Sequence, residues 1–245
     1  MRAVLMGHAV DGTGSVLSVR ADQLRSLLCA ASRSGHRIVS LRDLLRKPAC
    51  NGRELAISFD DGSRSLLLQA APILAESKVP ATLFLTTGRL GRDNSWPSQP
   101  ASAPRLAMLD EREVRELHGQ GWAIEAHSIN HPDLRQLNDA ELENELQGPM
   151  ETIVRLVGEK PQIFAYPYGL HDARVMVAAA RHYTYAVTTE FRLLSSPHTP
   201  YTVPRLDLFY LRSRLLHRFF GDNLIFISYL RTRRIFRQAA RTWRR

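Results

Sequence analysis

Short apolar runs alternate with helical segments along nearly the whole chain. The runs are rich in β-branched or aromatic residues, as buried strands are, and follow one another at intervals of about 20–40 residues. They are Ala3–Met6, Leu55–Phe59, Ala81–Thr86, Trp122–Ala126, Ile163–Tyr166, Tyr185–Thr188 and Tyr201–Val203. Such alternation is typical of parallel strands joined by helical crossovers. The sequence therefore predicts an α/β fold, and a (β/α) barrel rather than an open sheet because the alternation continues almost to the end.

Helical period and capping signals predict three of the crossover helices. Residues Ala21–Ser34 place their leucines on one face. Asp110 has the character of an N-cap, with Glu113 as its capping-box partner, and Gly121 marks the end of that helix. A third helix is predicted over residues 138–157, where acidic residues occupy the first half.

Three other segments have distinct patterns. Residues Arg92–Arg105 are rich in Pro, Ser and Ala and have no period, which predicts a surface loop. Leu211–Phe220 has a helical pattern, whereas Leu224–Ser228 has the composition of a strand.

Length and hydropathy restrict the class of protein. A chain of 245 residues, 44% of them hydrophobic, suits one large domain with a real core. No run of about 18 apolar residues exists, so no membrane-spanning helix is expected. The apolar stretch at the N-terminus is interrupted by Gly7 and His8 and has no signal-peptide core. The expected location is therefore the cytoplasm, with peripheral membrane association as an option, unless the sequence is a mature form shown without its leader.

Positive charge is concentrated at the C-terminus. Residues 205–245 contain 11 arginines and two aspartates, a net of +9, and the remainder of the chain is balanced. We therefore divide the chain into a barrel, residues 1–222, and a basic amphipathic segment, residues 223–245. Helical spacing relates the apolar residues of this segment, which are Phe236, Ala239, Ala240 and Trp243. The segment either packs on the barrel with a solvated basic face or binds anionic lipid headgroups. No nucleic-acid partner is expected, because no aromatic platform or reading motif accompanies the charge.

Polar side chains follow several of the predicted strands. Asp60 and Asp61 end the Leu55–Phe59 run, and His127 and His131 follow the Trp122–Ala126 run. Parallel α/β folds place their ligands where the strands end, so the two pairs are expected on one face. One carboxylate and two imidazoles form a common hydrolytic metal site.

Three ordered motifs resemble those of the polysaccharide deacetylases of carbohydrate esterase family 4, the NodB-homology domain. The family's first motif is similar to Ser58–Gly62, its second to His127–His131 and its third to the turn Tyr166–Gly169. A weaker likeness lies at Met6–Val10, around His8. The resemblance covers about residues 1–210 and implies a distorted (β/α) barrel of about seven parallel strands.

Family roles are carried over to matching positions only. Asp60 would be the general base that takes a proton from the attacking water. Asp61, His127 and His131 would hold one divalent metal ion, for which Zn²⁺ is favoured although other ions fit. The backbone N–H of Tyr168 would stabilise the oxyanion. The implied activity is hydrolysis of an N-acetylated glycan with release of acetate.

Two departures from the family pattern concern the catalytic acid–base groups. Many members have an arginine two residues before the proline of the third motif, and here that position is Ala165. Arg205, which follows a late strand, is the candidate replacement. Many members also supply a late histidine that protonates the leaving amine. His217 has the right neighbours in the sequence but lies in a predicted helix, so His217 and His8 both remain candidates.

Two alternative functions stay open at this point. One is hydrolysis of another linear or cyclic amide, since relatives of the family carry out that chemistry. The other is a catalytically weak protein that binds glycan or membrane, suggested by the missing arginine and the missing late histidine. The intact Asp60 argues against the second alternative.

Overall fold

A computed structural model describes residues 1–47, 52–99, 103–194 and 199–242. Within these ranges, ten short strands contain most of the predicted apolar runs. They are β1 (Arg2–Gly7), β2 (Ala9–Val10), β3 (Ser18–Val19), β4 (Arg37–Ile38), β5 (Glu54–Asp61), β6 (Thr82–Leu85), β7 (Ala123–Ala126), β8 (Ile163–Ala165), β9 (Tyr185–Val187) and β10 (Leu206–Asp207).

The main sheet is parallel throughout. Its order is β10-β1-β5-β6-β7-β8-β9, and β4 pairs with β5 beside this path. The seven strands of the path curl into a half-barrel, as the sequence predicted. Strands β2 and β3 form a separate pair.

Most of the helices connect successive strands and pack on one face of the sheet, where their buried residues belong to the large core. The α-helices are α1 (Ala21–Arg33), α2 (Leu41–Arg46), α3 (Ala71–Glu76), α4 (Glu111–Gly119), α5 (Asp139–Val157), α6 (Ala173–His182) and α7 (Leu224–Thr242). Helices α1, α4 and α5 match the three predicted helices. The capping box of Asp110 and Glu113 is present at the start of α4, and Asn138 and Glu141 form another at the start of α5.

Three predictions near the C-terminus are wrong. Tyr201–Val203 is not a strand: Val203 makes only an isolated bridge to Val187, and the strand beside β1 is β10. Leu211–Phe220 is not one helix: it starts at the last residue of a short 3₁₀ turn, Leu208–Leu211, and contains another, Leu216–Phe219. Leu224–Ser228 begins α7. Local composition gave the wrong prediction because tertiary contacts override it. The pairing of β10 with β1 and the packing of α7 determine the structure of this part of the chain.

Successive side chains of a strand lie in two different apolar layers, one on each face of the sheet. On β5, Leu55, Ile57 and Phe59 belong to the large core beneath the helices. Ala56 belongs to a second cluster that also contains Phe84 and residues of α2. A fully buried Leu, Ile or Phe side chain contributes about 1.5–3 kcal/mol to folding. Because side chains alternate along a strand, Ser58 and Asp60 share the face of Ala56.

Helix α7 packs through a face that differs from the predicted one. Phe226 and Leu230 are buried, whereas Phe236 of the predicted apolar stripe is 64% exposed. Trp243, Arg244 and Arg245 lie outside the described residues. No helix in the described part of the chain combines the length and apolarity needed to cross a membrane. The division at residue 222 stays a prediction.

Candidate metal centre and active site

Strand register brings Asp61 and His127 to nearly the same level along the strands of the sheet. Asp61 of β5 is opposite Leu85 of β6, and Leu85 is opposite Ala126 of β7. His127 is therefore one residue beyond the level of Asp61, two strands away. The two strands run parallel and end at the same edge of the sheet, where α/β folds place their ligand-binding residues.

One carboxylate and two imidazoles converge at this point. Nε2 of His127 lies 3.4 Å from Oδ1 of Asp61, and Nε2 of His131 lies 3.6 Å from the same oxygen. One ligand atom from each residue lies within 4.8 Å of the other two, and all three side chains are buried. Among the described residues, Oδ1 of Asp61 has no hydrogen-bond partner. A buried, unpaired oxygen facing two imidazoles fits a divalent cation.

The imidazole of His127 is oriented by the backbone. Its Nδ1 lies 2.7 Å from the carbonyl oxygen of Ala165. A carbonyl can only accept, so Nδ1 carries the hydrogen and donates it. In the neutral ring, Nε2 then presents its lone pair toward Asp61, which is the arrangement found in metal-ligating histidines.

Electrostatics at Asp61 and His131 also fits a cation. Burial raises the pKa of Asp61, but the close contact with His127 and the nearby imidazoles of His131 and His8 outweigh it, so that pKa lies far below its usual value. Burial, reinforced by the charge of His127, lowers the pKa of His131 to about 3. His131 is therefore neutral at physiological pH and available as a ligand.

Helix α5 holds the loop between the two histidines. The carboxylate of Glu145 accepts hydrogen bonds from the backbone N–H of Ile129, 2.7 Å, and of Asn130, 2.9 Å. The hydroxyl of Ser128 accepts one from the N–H of His131, 2.9 Å. Glu145 lies outside the motifs, and sequence reasoning did not single it out. Its position on the buried face of α5 was the signal available.

Asp60 is bound by the arginine that the sequence proposed. Arg205 is completely buried, and its guanidinium forms two parallel contacts with the carboxylate, Nη1 to Oδ1 at 2.6 Å and Nη2 to Oδ2 at 2.7 Å. Its Nε also donates to the carbonyl of Thr188 at 2.9 Å. Burial opposes ionisation of Asp60, but Arg205 and His127 outweigh it and lower the pKa. Asp60 is therefore a carboxylate at neutral pH.

Left-handed backbone conformations are concentrated here. Five non-glycine residues in the described ranges have positive φ, and four of them lie at this site: Asp61, Ser128, His131 and Tyr168. At Asp61, φ of 72° ends the strand pleat and lets adjacent carboxylates serve one cleft. Backbone conformations of this kind are strained, and they persist where contacts with the surrounding structure stabilise them, commonly at functional sites.

The third motif forms a 3₁₀ turn over Pro167–Gly169, with Tyr168 at φ 59°. The first hydrogen bond of this turn runs from the N–H of Gly169 to the carbonyl of Tyr166 at 2.8 Å. The N–H of Tyr168 precedes it, and N–H groups at the start of a helical turn have no partner inside the turn. The ring of Tyr168 lies edge-on to His131, 4.4 Å between centroids.

Part of the predicted surface loop covers the site instead. Trp96 is 5% exposed and stacks on His131 with 4.4 Å between ring centroids. The hydroxyl of Ser98 lies 2.8 Å from that of Tyr168. The prediction of a surface loop was thus wrong for Trp96. A tryptophan within a Pro- and Ser-rich segment was the only available signal.

The two histidine candidates for the catalytic acid lie in different places. His217 is buried, with Nδ1 2.7 Å from the hydroxyl of Ser26 and Nε2 2.6 Å from the carbonyl of Leu211. These contacts place it against α1, and both nitrogens are engaged. His8 is half-buried directly after β1, and its proximity lowers the pKa of Asp60 and of Asp61.

Comparison with known proteins identifies the family. The polysaccharide deacetylase model matches residues 47–187, more than half of the chain, and the chain belongs to this family. One relative is the poly-beta-1,6-N-acetyl-D-glucosamine N-deacetylase of Staphylococcus aureus, 25% identical over 202 residues that cover 77% of this chain and 67% of that protein. The resemblance inferred from the three motifs is therefore confirmed.

Solved structures share the fold. The deacetylase PplD of Streptococcus pyogenes, solved in complex with acetate, has a TM-score of 0.71 and 23% identity, covering 84% of this chain and 91% of that one. IcaB from Ammonifex degensii also has a TM-score of 0.71, with 19% identity and coverage of 84% and 90%.

Proposed function

We propose that this chain is a metal-dependent hydrolase that removes N-acetyl groups from an N-acetylated glycan and releases acetate. The observation that carries the proposal is the cluster of Asp61, His127 and His131 directly beside a carboxylate, Asp60, tied to Arg205. Membership of the polysaccharide deacetylase family supports the reaction class.

Asp61, His127 and His131 would hold the metal ion. Two imidazole nitrogens and one carboxylate oxygen suit Zn²⁺ and leave coordination positions open. When bound, the ion supplies Lewis acidity, which polarises the amide carbonyl and makes water more acidic. The unpaired Oδ1 of Asp61 and the donor at Nδ1 of His127 support this assignment.

The remaining groups would move protons and stabilise charge. Asp60 would take a proton from the attacking water, with Arg205 keeping the carboxylate ionised and fixed in direction. Water adds to the amide carbon, the C–N bond breaks, and acetate and a free amine leave. The N–H of Tyr168 would donate to the developing oxyanion.

His8 is our candidate for the proton that the leaving amine requires. It lies at the site, whereas both nitrogens of His217 are engaged elsewhere. Since general acid catalysis contributes about 10²–10⁴-fold, His8→Gln should lower kcat by that factor with unchanged metal content. A wild-type kcat in His8→Gln would exclude it.

A polymer is the substrate class that we favour. A cavity of about 910 Å³ is lined by Val10, Ser63 and Arg64 among others, and Ser63 follows Asp61 by two residues in the chain. This volume is at the upper end of ligand pockets, about 300–1,000 Å³. The name of the Staphylococcus aureus relative suggests N-acetylglucosamine polymers as the first substrates to test.

Acetate release from N-acetylglucosamine oligomers tests the proposal. We expect release by zinc-loaded protein, and a loss of about 10²-fold or more in Asp60→Asn. Asp139→Asn is the matched control, because Asp139 is an exposed residue on α5. No acetate from any oligomer, or equal rates in both variants, would contradict the proposal.

We also propose that α7 contacts an anionic membrane surface. Its outward side exposes four large apolar side chains, namely Leu224 at 84%, Ile225 at 56%, Ile235 at 65% and Phe236 at 64%. At 100° per residue they span an arc of about 120°. Helix α7 also carries five arginines and no acidic residue, and this charge complements anionic headgroups.

Vesicle sedimentation tests the membrane contact. Binding to vesicles containing phosphatidylglycerol should fall when Ile235 and Phe236 are both changed to Ser. The matched control changes Val154 and Val177, exposed residues of α5 and α6, to Ser. Equal binding by the two double variants would refute the contact.

A further inference from the structure

The segment that follows β9 holds two groups of the active site at once. We call residues Thr188–Glu190 the β9 loop. The carbonyl of Thr188 accepts from Nε of Arg205 at 2.9 Å. The hydroxyl of Thr189 donates to the carbonyl of Tyr168 at 3.2 Å. The β9 loop therefore touches both the arginine that fixes Asp60 and the turn that presents the proposed oxyanion donor.

Backbone contacts strengthen this connection. The N–H of Arg205 donates to the carbonyl of Glu190 at 3.0 Å, and the N–H of Thr188 donates to the carbonyl of Val203 at 2.8 Å. Close packing adds to them, since a Cβ placed on Gly169 would lie 2.6 Å from the backbone nitrogen of Thr189. A displacement of the β9 loop must therefore move Arg205, the Tyr168 turn, or both.

Two arginines of α7 hold the β9 loop from the outside. Nη2 of Arg237 donates to the carbonyl of Thr189 at 3.3 Å, and its Nη1 lies 3.4 Å from Oδ2 of Asp207. Nη2 of Arg234 lies 3.3 Å from Oε1 of Glu190.

The guanidinium of Arg237 is also fixed by aromatic rings. It lies 4.8 Å from the ring centroid of Tyr210 and 5.6 Å from that of Phe191. The side chain is only 18% exposed. A cation held between rings and a carboxylate loses little further freedom on bonding to a carbonyl. Arg237 is thus a rigid support and not a mobile surface side chain.

We infer that Arg237, assisted by Arg234, is a positioning residue through which the C-terminal helix fixes the β9 loop and with it Arg205 and Tyr168. The inference rests on the proposed deacetylase function for its kinetic consequences. It assigns α7 a role separate from its outward face, because the contacts lie on the side that packs against the barrel. Groups set outside the reacting centre commonly change rates by about 10–100-fold through geometry alone.

Kinetics and hydrogen exchange of the full-length, zinc-loaded chain test the inference. Arg237→Ala should lower kcat about tenfold with little change in KM, because Arg205 and Tyr168 act on the transition state. Arg237→Lys should restore part of the rate, since an ammonium can still donate to the carbonyl of Thr189. Arg231→Ala, an exposed position on the same helix, is the matched control and should retain wild-type kcat.

Amide exchange provides a readout that does not depend on activity. Arg237→Ala should speed exchange at the amides of Glu190 and Arg205, while Arg231→Ala should not. Rates are compared per folded molecule, well below the melting temperature, so that a loss of folded protein is not counted as a loss of positioning. Unchanged kcat per folded molecule, or unchanged exchange at both amides, would overturn the inference. If wild-type protein releases no acetate, the proposed function fails, and exchange alone still decides the inference.

Discussion

Replacing Arg205 with methionine should destabilise the fold more than any surface arginine change. Arg205 is completely buried and bonds both oxygens of Asp60. Methionine keeps much of the stem but leaves a buried carboxylate without its partner. Removing one member of such a pair costs about 3–5 kcal/mol, a large part of the roughly 5–15 kcal/mol that stabilises a typical protein.

Urea unfolding in the presence of a chelator measures this loss without a contribution from metal binding. Arg115→Met is the matched control, because Arg115 pairs with Glu111 on the exposed side of α4 at 3.2 Å. A pair of that kind contributes little to stability, because solvent screens both charges. Adding Asp60→Asn to Arg205→Met removes the unpaired charge, so the double variant should be more stable than Arg205→Met alone.

The free energy of unfolding that is lost in Arg205→Met should also depend on pH. In the wild type, burial would raise the pKa of Asp60, but Arg205 outweighs it and the pKa lies below the ordinary 3.8. This contribution to stability is therefore present above pH 3.8 and lost as pH falls through the lower folded value. Without Arg205, burial raises the pKa, so the variant is penalised at neutral pH and relieved on acidification. The difference in the free energy of unfolding between the wild type and Arg205→Met should become smaller as pH falls from 7 to 4.5. The reasoning is refuted if Arg205→Met costs no more than Arg115→Met, or if adding Asp60→Asn recovers nothing.

Three further predictions concern the metal centre and the turn beside it. Glu145→Gln should weaken zinc affinity about tenfold in titration calorimetry, because it loosens the loop between His127 and His131. Glu151→Gln, at an exposed position of the same helix, should not change the affinity. Equal affinities of the two variants would contradict the support that we ascribe to α5. Gly169→Ala should destabilise by about 1 kcal/mol or more and lower kcat, since φ is +70° and the added Cβ would lie 2.3 Å from the hydroxyl of Thr189. Gly119→Ala, with open space around it, is the control, and equal unfolding midpoints would count against the argument. Zinc at 100 times its Kd should stabilise the wild type by about 2.7 kcal/mol and raise its melting temperature. Asp61→Asn should show a much smaller shift, and an equal one would place the ion elsewhere.

The location of the site could be predicted from sequence because the strands that carry it are regular. In β5, eight buried residues end at Asp61, and the pairing with β6 and β7 follows from parallel order. Once an apolar run is recognised as a strand, its next polar residue is placed at the carboxyl edge of the sheet. This is why Asp60, Asp61 and His127 could be grouped before any coordinates.

The late part of the chain could not be predicted in the same way. Strand β10 has two residues and exists because Leu206 pairs with Leu5 of β1, a contact that leaves no periodic signal. Arg205 was nevertheless selected, although the predicted strand Tyr201–Val203 is absent and Arg205 lies directly before β10. Trp96 was missed since its partner, His131, is 35 residues away in the sequence and the loop between them has no period.

Backbone conformation is the part of the site that sequence conceals most completely. A positive φ is expected at Gly62 and Gly169, which adopt it at little cost. At Ser128 and Tyr168 the same conformation is unfavourable, and neither residue type is enriched in it. These residues are held by neighbours that are distant in the chain, as Ser128 is beside the loop fixed by Glu145. The motifs therefore identify which side chains converge, while the packing of α5, the β9 loop and Trp96 determines the directions in which those side chains point.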